Sequence, residues 1–281
     1  MLRHRTRRSR RRTPRLKGLS INRLIPNIVT VSATCAGLTS IRYAVDEKWK
    51  YAVIALILAA VLDALDGRMA RMLKAESDFG AQLDSLSDFV SFGVAPAFVM
   101  YFWSLQAAGG LGWGVALFFI VCCGLRLARF NSMIGKLPPY AYNYFTGVPA
   151  PAGALLSLLP MVVGFSGGAD ILVQPVVVGP WLLLIAVLMV APIPTYSFKR
   201  FKVPPLYVVP VLVIVGVLMA GLAGYPWKTL TVCALIYFIL IPFSVRSFLR
   251  LKREAERLHG EENEPEPDDP QDEAAQKGET G

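Results

Sequence analysis

Two pairs of aspartates carry the chemistry that this sequence advertises. Asp63 and Asp66 stand three residues apart, Asp84 and Asp88 four apart, and all four fall within 26 residues. Outside the C-terminal stretch 254–281 the chain has nine acids, and six of them crowd into this segment, DALDGRMARMLKAESDFGAQLDSLSDF. Spacings of three and four put each pair on one face of a helix. A short turn between the two helices makes them antiparallel neighbours, so four carboxylates converge. Uncompensated, such a cluster is costly at membrane depth, and a bound cation removes that cost. Oxygen-only ligands favour a hard ion, Mg²⁺ or Mn²⁺, over zinc or copper. Two such ions about 3.5–4 Å apart, bridged by one carboxylate, suit phosphoryl displacement.

Between the pairs lie Gly67, Ala70, Arg71 and Gly80. Small side chains at helix ends let a nucleotide approach the backbone closely. Singly, each feature has a plainer reading: an aspartate pair as a packing or ion-path device, a glycine as helix-end punctuation, Arg71 as a topology anchor. Their joint occurrence at fixed spacing is what points to a phosphate-handling metal site.

The elements that must position these residues are membrane helices. The chain has 281 residues, 54% hydrophobic and only 17% charged, against roughly 25% charged in soluble domains. Apolar residues are clumped into runs such as VIALILAAVL, PWLLLIAVLMVAPI and LYVVPVLVIVGVLMAGLA, too many to share one soluble core. With about 20 apolar residues per crossing, the sequence predicts an all-α polytopic bundle of about eight transmembrane helices: 26–45, 50–73, 81–104, 112–131, 147–165, 177–196, 203–224 and 227–248. Three regions follow: a basic arm with an interfacial helix over 1–25, a membrane catalytic domain over 26–248 and an acidic, disordered tail over 249–281.

The formal net charge of +9 is unevenly spread. Residues 1–23 hold ten Lys/Arg and no acid, whereas 254–281 hold eleven of the twenty acids. The basic head runs straight into a hydrophobic segment and carries no aromatics, which fits an arm facing anionic lipid and not nucleic acid. It lacks the short apolar core and small-residue cleavage site of a signal peptide. With eight spans, 25 of the 29 Lys/Arg fall on the side that holds both termini; only Arg42, Lys48, Lys50 and Lys228 fall on the other. The positive-inside rule then makes both termini and the aspartate end cytoplasmic. Cys35, Cys122, Cys123 and Cys233 lie in apolar stretches and read as packing residues.

The segment resembles, position by position, the signature of the CDP-alcohol phosphatidyltransferase family: D-x2-D-G-x2-A-R, eight residues, then G-x3-D-x3-D, here Asp63, Asp66, Gly67, Ala70, Arg71, Gly80, Asp84 and Asp88. The resemblance implies a six-helix core, often paired as a homodimer, to which the last two spans are additions. It implies a CDP-linked lipid donor on Gly67, Ala70, Arg71 and Gly80, metal on Asp63, Asp66 and Asp84 with Asp88 alongside, and Asp88 as general base. Further text, DSLSDFVSFGVAPA, RLARFN at 126–131 and GVPAPAGA at 147–154, is similar to the bacterial inner-membrane branch of that family. That likeness implies CDP-diacylglycerol as donor and L-serine as acceptor, giving phosphatidylserine and CMP.

A carboxylate-bearing acceptor wants a two-pronged guanidinium, and Arg126 and Arg129 end the fourth predicted span; positive-inside anchoring is their alternative. Asn131 either meets the acceptor or caps the helix. The two histidines, His4 and His259, lie in the tails, which excludes a covalent phosphatidyl-histidine route. Two alternatives stay open: the same chemistry with glycerol phosphate, inositol phosphate or choline, and a cation transporter that uses the aspartates as a coordination site.

Overall fold

In lipid a chain must satisfy its backbone hydrogen bonds internally, which leaves the helix as the default for long apolar runs. The computed structural model describes residues 21–73, 75, 77–133, 144–168, 170–191, 194–196 and 208–243. The arm before residue 21 and the acidic tail lie outside the described residues. Among them the chain forms eight helical rods: α1 (Ile21–Val45), α2 (Trp49–Met72), α3 (Asp78–Asp88) continuing into α4 (Ala95–Trp103), α5 (Gly109–Met133), the pair α6 (Ala150–Ser157) and α7 (Leu159–Phe165), α8 (Pro175–Val190), α9 (Val208–Gly224) and α10 (Pro226–Phe243). Each overlaps one of the eight predicted spans, of which the ends 203–207 and 244–248 lie outside the described residues. Residues 21–25, expected in the arm, are helical and continuous with the first rod.

Four rods are long and apolar enough by themselves to cross a membrane: Leu24–Val45, Asp78–Trp103, Leu105–Met133 and Pro226–Phe243. The helices α8 and α9 are apolar but shorter, and α2 is 24 residues long, about 36 Å at 1.5 Å per residue. The predicted span 177–196 ends early, at Val190. Pro194 disfavours a further helical turn, and Pro194–Tyr196 instead pairs antiparallel with Tyr144–Thr146 in a three-residue ladder. The predicted span 147–165 starts at Ala150 and breaks at Leu158, ahead of Pro160. Gly147 precedes it with φ of +81°, and a Cβ there would lie 2.3 Å from the Met189 carbonyl oxygen, so only glycine fits.

The third rod is not a plain α-helix. Between α3 and α4 the six residues Phe89–Val94 form a π-helical turn immediately after Asp88, a feature frequent at functional sites. It packs against its neighbours through missing side chains. A Cβ on Gly37 of α1 would sit 2.8 Å from Ser91 Oγ, one on Gly93 3.0 Å from Cys123 Sγ, and one on Gly124 3.2 Å from the Phe89 ring. Close approach through small residues is the usual way for membrane helices to gain contact. The core is built around Phe92, Met100, Phe119, Met161 and Ile185, each at or below 1% exposure.

The outer faces are apolar. Residues such as Val209, Ile214 and Val217 of α9 are about two-thirds exposed, and α9 buries none of its residues, as expected of a helix bathed in lipid. Aromatic contacts gather at one end of the bundle: Tyr43 with Tyr51 at 5.7 Å, Tyr101 with Trp113 at 5.4 Å and Phe165 with Trp227 at 4.9 Å. Such rings favour a membrane–water interface. The aspartates lie at the opposite end, where α2 turns into α3.

Candidate active site

The turn that brings the aspartates together is short and capped. Leu73 ends α2, donating its N–H to the Met69 carbonyl. Ser77 opens α3, its hydroxyl oxygen accepting from the Gly80 N–H at 3.1 Å, a standard N-cap. The two helices are thereby folded back on one another. One oxygen from each of Asp63, Asp66 and Asp84 lies within 4.8 Å of the others. Asp66 is 3% exposed, and Asp63 and Asp84 are partly accessible. Asp88 joins them one helical turn deeper, beside Asp63 and with Arg126 among the charges around it. All four predicted aspartates therefore meet, with three of them forming the tighter group.

Asp66 Oδ2 and Asp88 Oδ1 are buried and have no hydrogen-bond partner among the described residues. An unpaired buried carboxylate is costly, and the three-oxygen group supplies the hard donors that a divalent cation takes. The residues present fit such an ion.

Beside the group opens a cleft of about 560 Å³. Gly67, Ala70, Arg71 and Gly80, the four residues predicted for the CDP-linked donor, line it together with Asp66 and Asp84. A Cβ on Gly80 would come within 3.1 Å of Ser77 Oγ and 3.2 Å of Asn27 Oδ1, so the bare glycine keeps that wall open. The second pair of predicted residues divides. Arg126 is buried at 9% exposure, and its Nε has no partner among the described residues. Cys123 and Asp88 are among the ionisable groups in its surroundings. Arg129, one turn further along α5, is exposed and donates from Nη1 to the Val190 carbonyl at the end of α8, at 3.3 Å.

Sequence reasoning missed the polar wall that α1 supplies. Asn27 and Thr30 line the cleft, and Thr30 lies beside Asp66. Thr34 donates to Ser87 at 2.7 Å, and Ser87 donates to the Thr30 carbonyl at 3.1 Å, stitching α1 to α3 between Asp84 and Asp88. The signal was the recurrence of polar residues at 27, 30 and 34 in an apolar helix, a single stripe at helical spacing. Asn131 neither ends nor caps α5; its amide donates to Ser85 at 2.9 Å and ties α5 to the aspartate helix. The four cysteines are free, with Cys122 and Cys123 buried in the core.

Comparison with known proteins agrees with the geometry. Residues 23–192 match the profile of the CDP-alcohol phosphatidyltransferase family, and residues 206–242 match a second profile described as CDP-alcohol phosphatidyltransferase 2. A CDP-diacylglycerol–serine O-phosphatidyltransferase of Mycobacterium bovis is 39% identical over 228 residues, covering 80% of this chain and 79% of the relative. Proteins of the same name from Helicobacter pylori (35% over 184 residues, 64% of this chain and 74% of theirs) and Methanocaldococcus jannaschii (38% over 187 residues, 66% and 79%) are also similar. A signature with no departure, a bundle that folds it into one acidic centre and a profile match spanning most of the helices lead to one conclusion: this chain is an integral membrane protein of the CDP-alcohol phosphatidyltransferase family.

Proposed function

We propose that the protein transfers the phosphatidyl group of CDP-diacylglycerol to the hydroxyl of L-serine, yielding phosphatidylserine and CMP. The observation that carries the chemistry is the convergence of Asp63, Asp66 and Asp84 beside a cleft lined by Gly67, Ala70, Arg71 and Gly80. Serine as the acceptor is supported by the relatives' shared name and by a buried arginine behind Asp88.

Asp63, Asp66 and Asp84 would hold Mg²⁺ or Mn²⁺, as one ion or as two with Asp88 completing the set. The cation supplies positive charge against the donor's pyrophosphate. The cleft takes the cytidine end, its glycines letting the nucleotide lie on the backbone, with Arg71 at its edge. The acyl chains stay in lipid. Arg126 grips the acceptor's carboxylate and holds its hydroxyl next to Asp88; Arg129 offers a second guanidinium nearer the mouth. Asp88 takes the hydroxyl proton as the serine oxygen bonds to the β-phosphorus. The bond from that phosphorus to the bridging oxygen breaks, and CMP leaves with the electron pair. A hydroxyl is a weak nucleophile at neutral pH, so a base within reach is worth roughly 10²–10⁴-fold.

The same reading places the site at the cytoplasmic face of a bacterial inner membrane, with both termini on that side. The 25-to-4 split of Lys and Arg supports this, as do the aromatic contacts at the far end of the bundle. The regions 1–25, 26–248 and 249–281 are then arm, catalytic domain and tail. A homodimer, implied by the resemblance, is checked by the mass of the detergent-solubilised particle.

The test of the reaction is CMP release from CDP-diacylglycerol with a panel of alcohols, before and after chelation. Release specific to serine, abolished by chelator and restored by Mg²⁺ or Mn²⁺, is the expected result. Equal release with glycerol phosphate or inositol phosphate would remove serine, and full activity in excess chelator would remove the metal.

A further inference from the structure

The rod formed by α6 and α7 is broken at Leu158, and the sequence supplies the cause. Pro160 has no N–H to offer the Leu156 carbonyl, and the Trp181 indole donates to that oxygen instead, at 2.9 Å. Beside the break lies an apolar cavity of about 220 Å³. Val53 and Ile57 of α2, Leu155 and Leu159 of the broken rod, and Leu230 and Ala234 of α10 line it, and no charged residue does. Cys233, in the same wall, is exposed, so the cavity opens on the lipid-facing side of α10. Val53 stands 13 residues before Asp66 on α2, about 20 Å along the helix axis. The cavity is therefore separate from the acidic cleft.

The walls select hydrocarbon. An apolar cavity of roughly 150 Å³ already stays dry and takes up benzene, and this larger one opens on acyl chains. Its outer end carries a cation. Lys50 precedes Val53 by three residues and Ile57 by seven, so all three share one face of α2. The Lys50 Nζ lies 6.0 Å from the centre of the Phe165 ring at the end of α7. That ring meets Trp227, at the start of α10, at 4.9 Å. The three elements that wall the cavity thus close together beside Lys50. Lys50 is exposed and has no carboxylate partner among the described residues. A cation without an acid partner, set among interfacial aromatics above a hydrocarbon-lined cavity, complements a phosphate with an acyl chain attached. We propose that a phospholipid binds here, at the end of the bundle opposite the aspartates, with one acyl chain in the cavity and its phosphate on Lys50. So placed, the lipid ties α10 to α2 and to the broken rod.

The experiment is native mass spectrometry of the full-length protein in detergent, titrated with phosphatidylglycerol and with diacylglycerol of the same chains, which lacks the phosphate. Phosphatidylglycerol should bind more tightly. Lys50→Gln should lower its affinity about 5-fold, the worth of one lysine near anionic lipid, and leave diacylglycerol unchanged. Lys228→Gln should have no such effect, because Lys228 lies against Tyr225 on the far flank of α10. Ala234→Leu fills the cavity and should lower both affinities roughly tenfold or more, since packing contact is what holds a chain in a lipid-facing cavity. Ala152→Leu fills it from another wall and takes the place of Ala234→Leu if that variant melts below wild type. Photolysis of phosphatidylglycerol with a diazirine in one chain locates the lipid; adducts on Val53, Ile57 or the segment 230–237, lost in the cavity-filling variant, are expected. Undiminished binding when the cavity is filled, or adducts confined to α9 and other outer faces, would overturn the proposal. Equal affinities for phosphatidylglycerol and diacylglycerol, with no effect of Lys50→Gln, would overturn the assignment of the phosphate to Lys50.

Discussion

Replacing Asp66 by asparagine should make the cation-free protein more stable and its response to divalent metal vanish. One oxygen of Asp66 lies within 4.8 Å of oxygens of both Asp63 and Asp84. At an effective dielectric near 20, like unit charges at that distance repel by roughly 3.5 kcal/mol per pair, and Asp66 takes part in two of the three pairs. Solvent reaching the partly accessible Asp63 and Asp84 screens much of this, leaving on the order of 2–3 kcal/mol to be relieved. Asparagine keeps the shape and adds donors for the orphaned Oδ2 position. At about 2–4 °C per kcal/mol for a chain of this size, the cation-free Tm should rise by about 5 °C or more. In the wild type, Mn²⁺ at a hundred times its Kd adds about 2.7 kcal/mol, a comparable upward shift. In Asp66→Asn that shift should shrink below about 1 °C. Thermal unfolding of detergent-solubilised protein, with Mn²⁺ or with chelator and without any lipid donor, reads both quantities. A variant that keeps the wild-type metal shift, or that melts lower than wild type in chelator, would refute the reasoning.

Three further outcomes follow from the same arrangement. Asp88→Asn should bind CDP-diacylglycerol normally while turnover falls by roughly 10²–10⁴; donor affinity lost as severely as in Asp63→Asn would make Asp88 chiefly a metal ligand. Arg126→Lys should raise the KM for serine more than Arg129→Lys does, because Arg126 is buried beside Asp88 while Arg129 is exposed and already donates to Val190; steady-state serine titrations in both variants decide this, and the opposite order would assign the carboxylate to Arg129. Cysteine labels at Lys74, Lys136 and Lys199 should react only from the cytoplasmic side, and labels at Gly110 and Gly167 only from outside; any reversal breaks the eight-span topology.

The aspartates were legible because acids are expensive in apolar chain and their spacing admits one geometry. The helices were legible for a related reason, since long apolar runs in lipid have few alternatives to the helix. What stayed hidden depends on side-chain direction. Serines and threonines in a membrane helix satisfy themselves on their own backbone, as Ser32 and Thr39 do with Ile28 and Cys35. Residue type alone does not distinguish these from Thr34 and Ser87, which also bond across helices; only the stripe at 27, 30 and 34 hints at the difference. Arg126 and Arg129 differ by about 60° around α5, enough to send one to Asp88 and the other to the end of α8. The π turn at Phe89–Val94 changes the phase of the third rod without changing its composition. The early end of α8 was readable in principle from Pro192 and Pro194, but hydropathy carried the predicted span past them.

The central claim is tested most directly by reconstituting the purified full-length protein in phosphatidylcholine vesicles with CDP-diacylglycerol, Mn²⁺ and radiolabelled serine, and measuring label in the lipid phase together with CMP in the aqueous phase. Direct phosphatidyl transfer requires labelled phosphatidylserine and CMP in equal amounts, with CMP release dependent on serine. Label absent from the lipid phase, or CMP released at the same rate without serine, would contradict it.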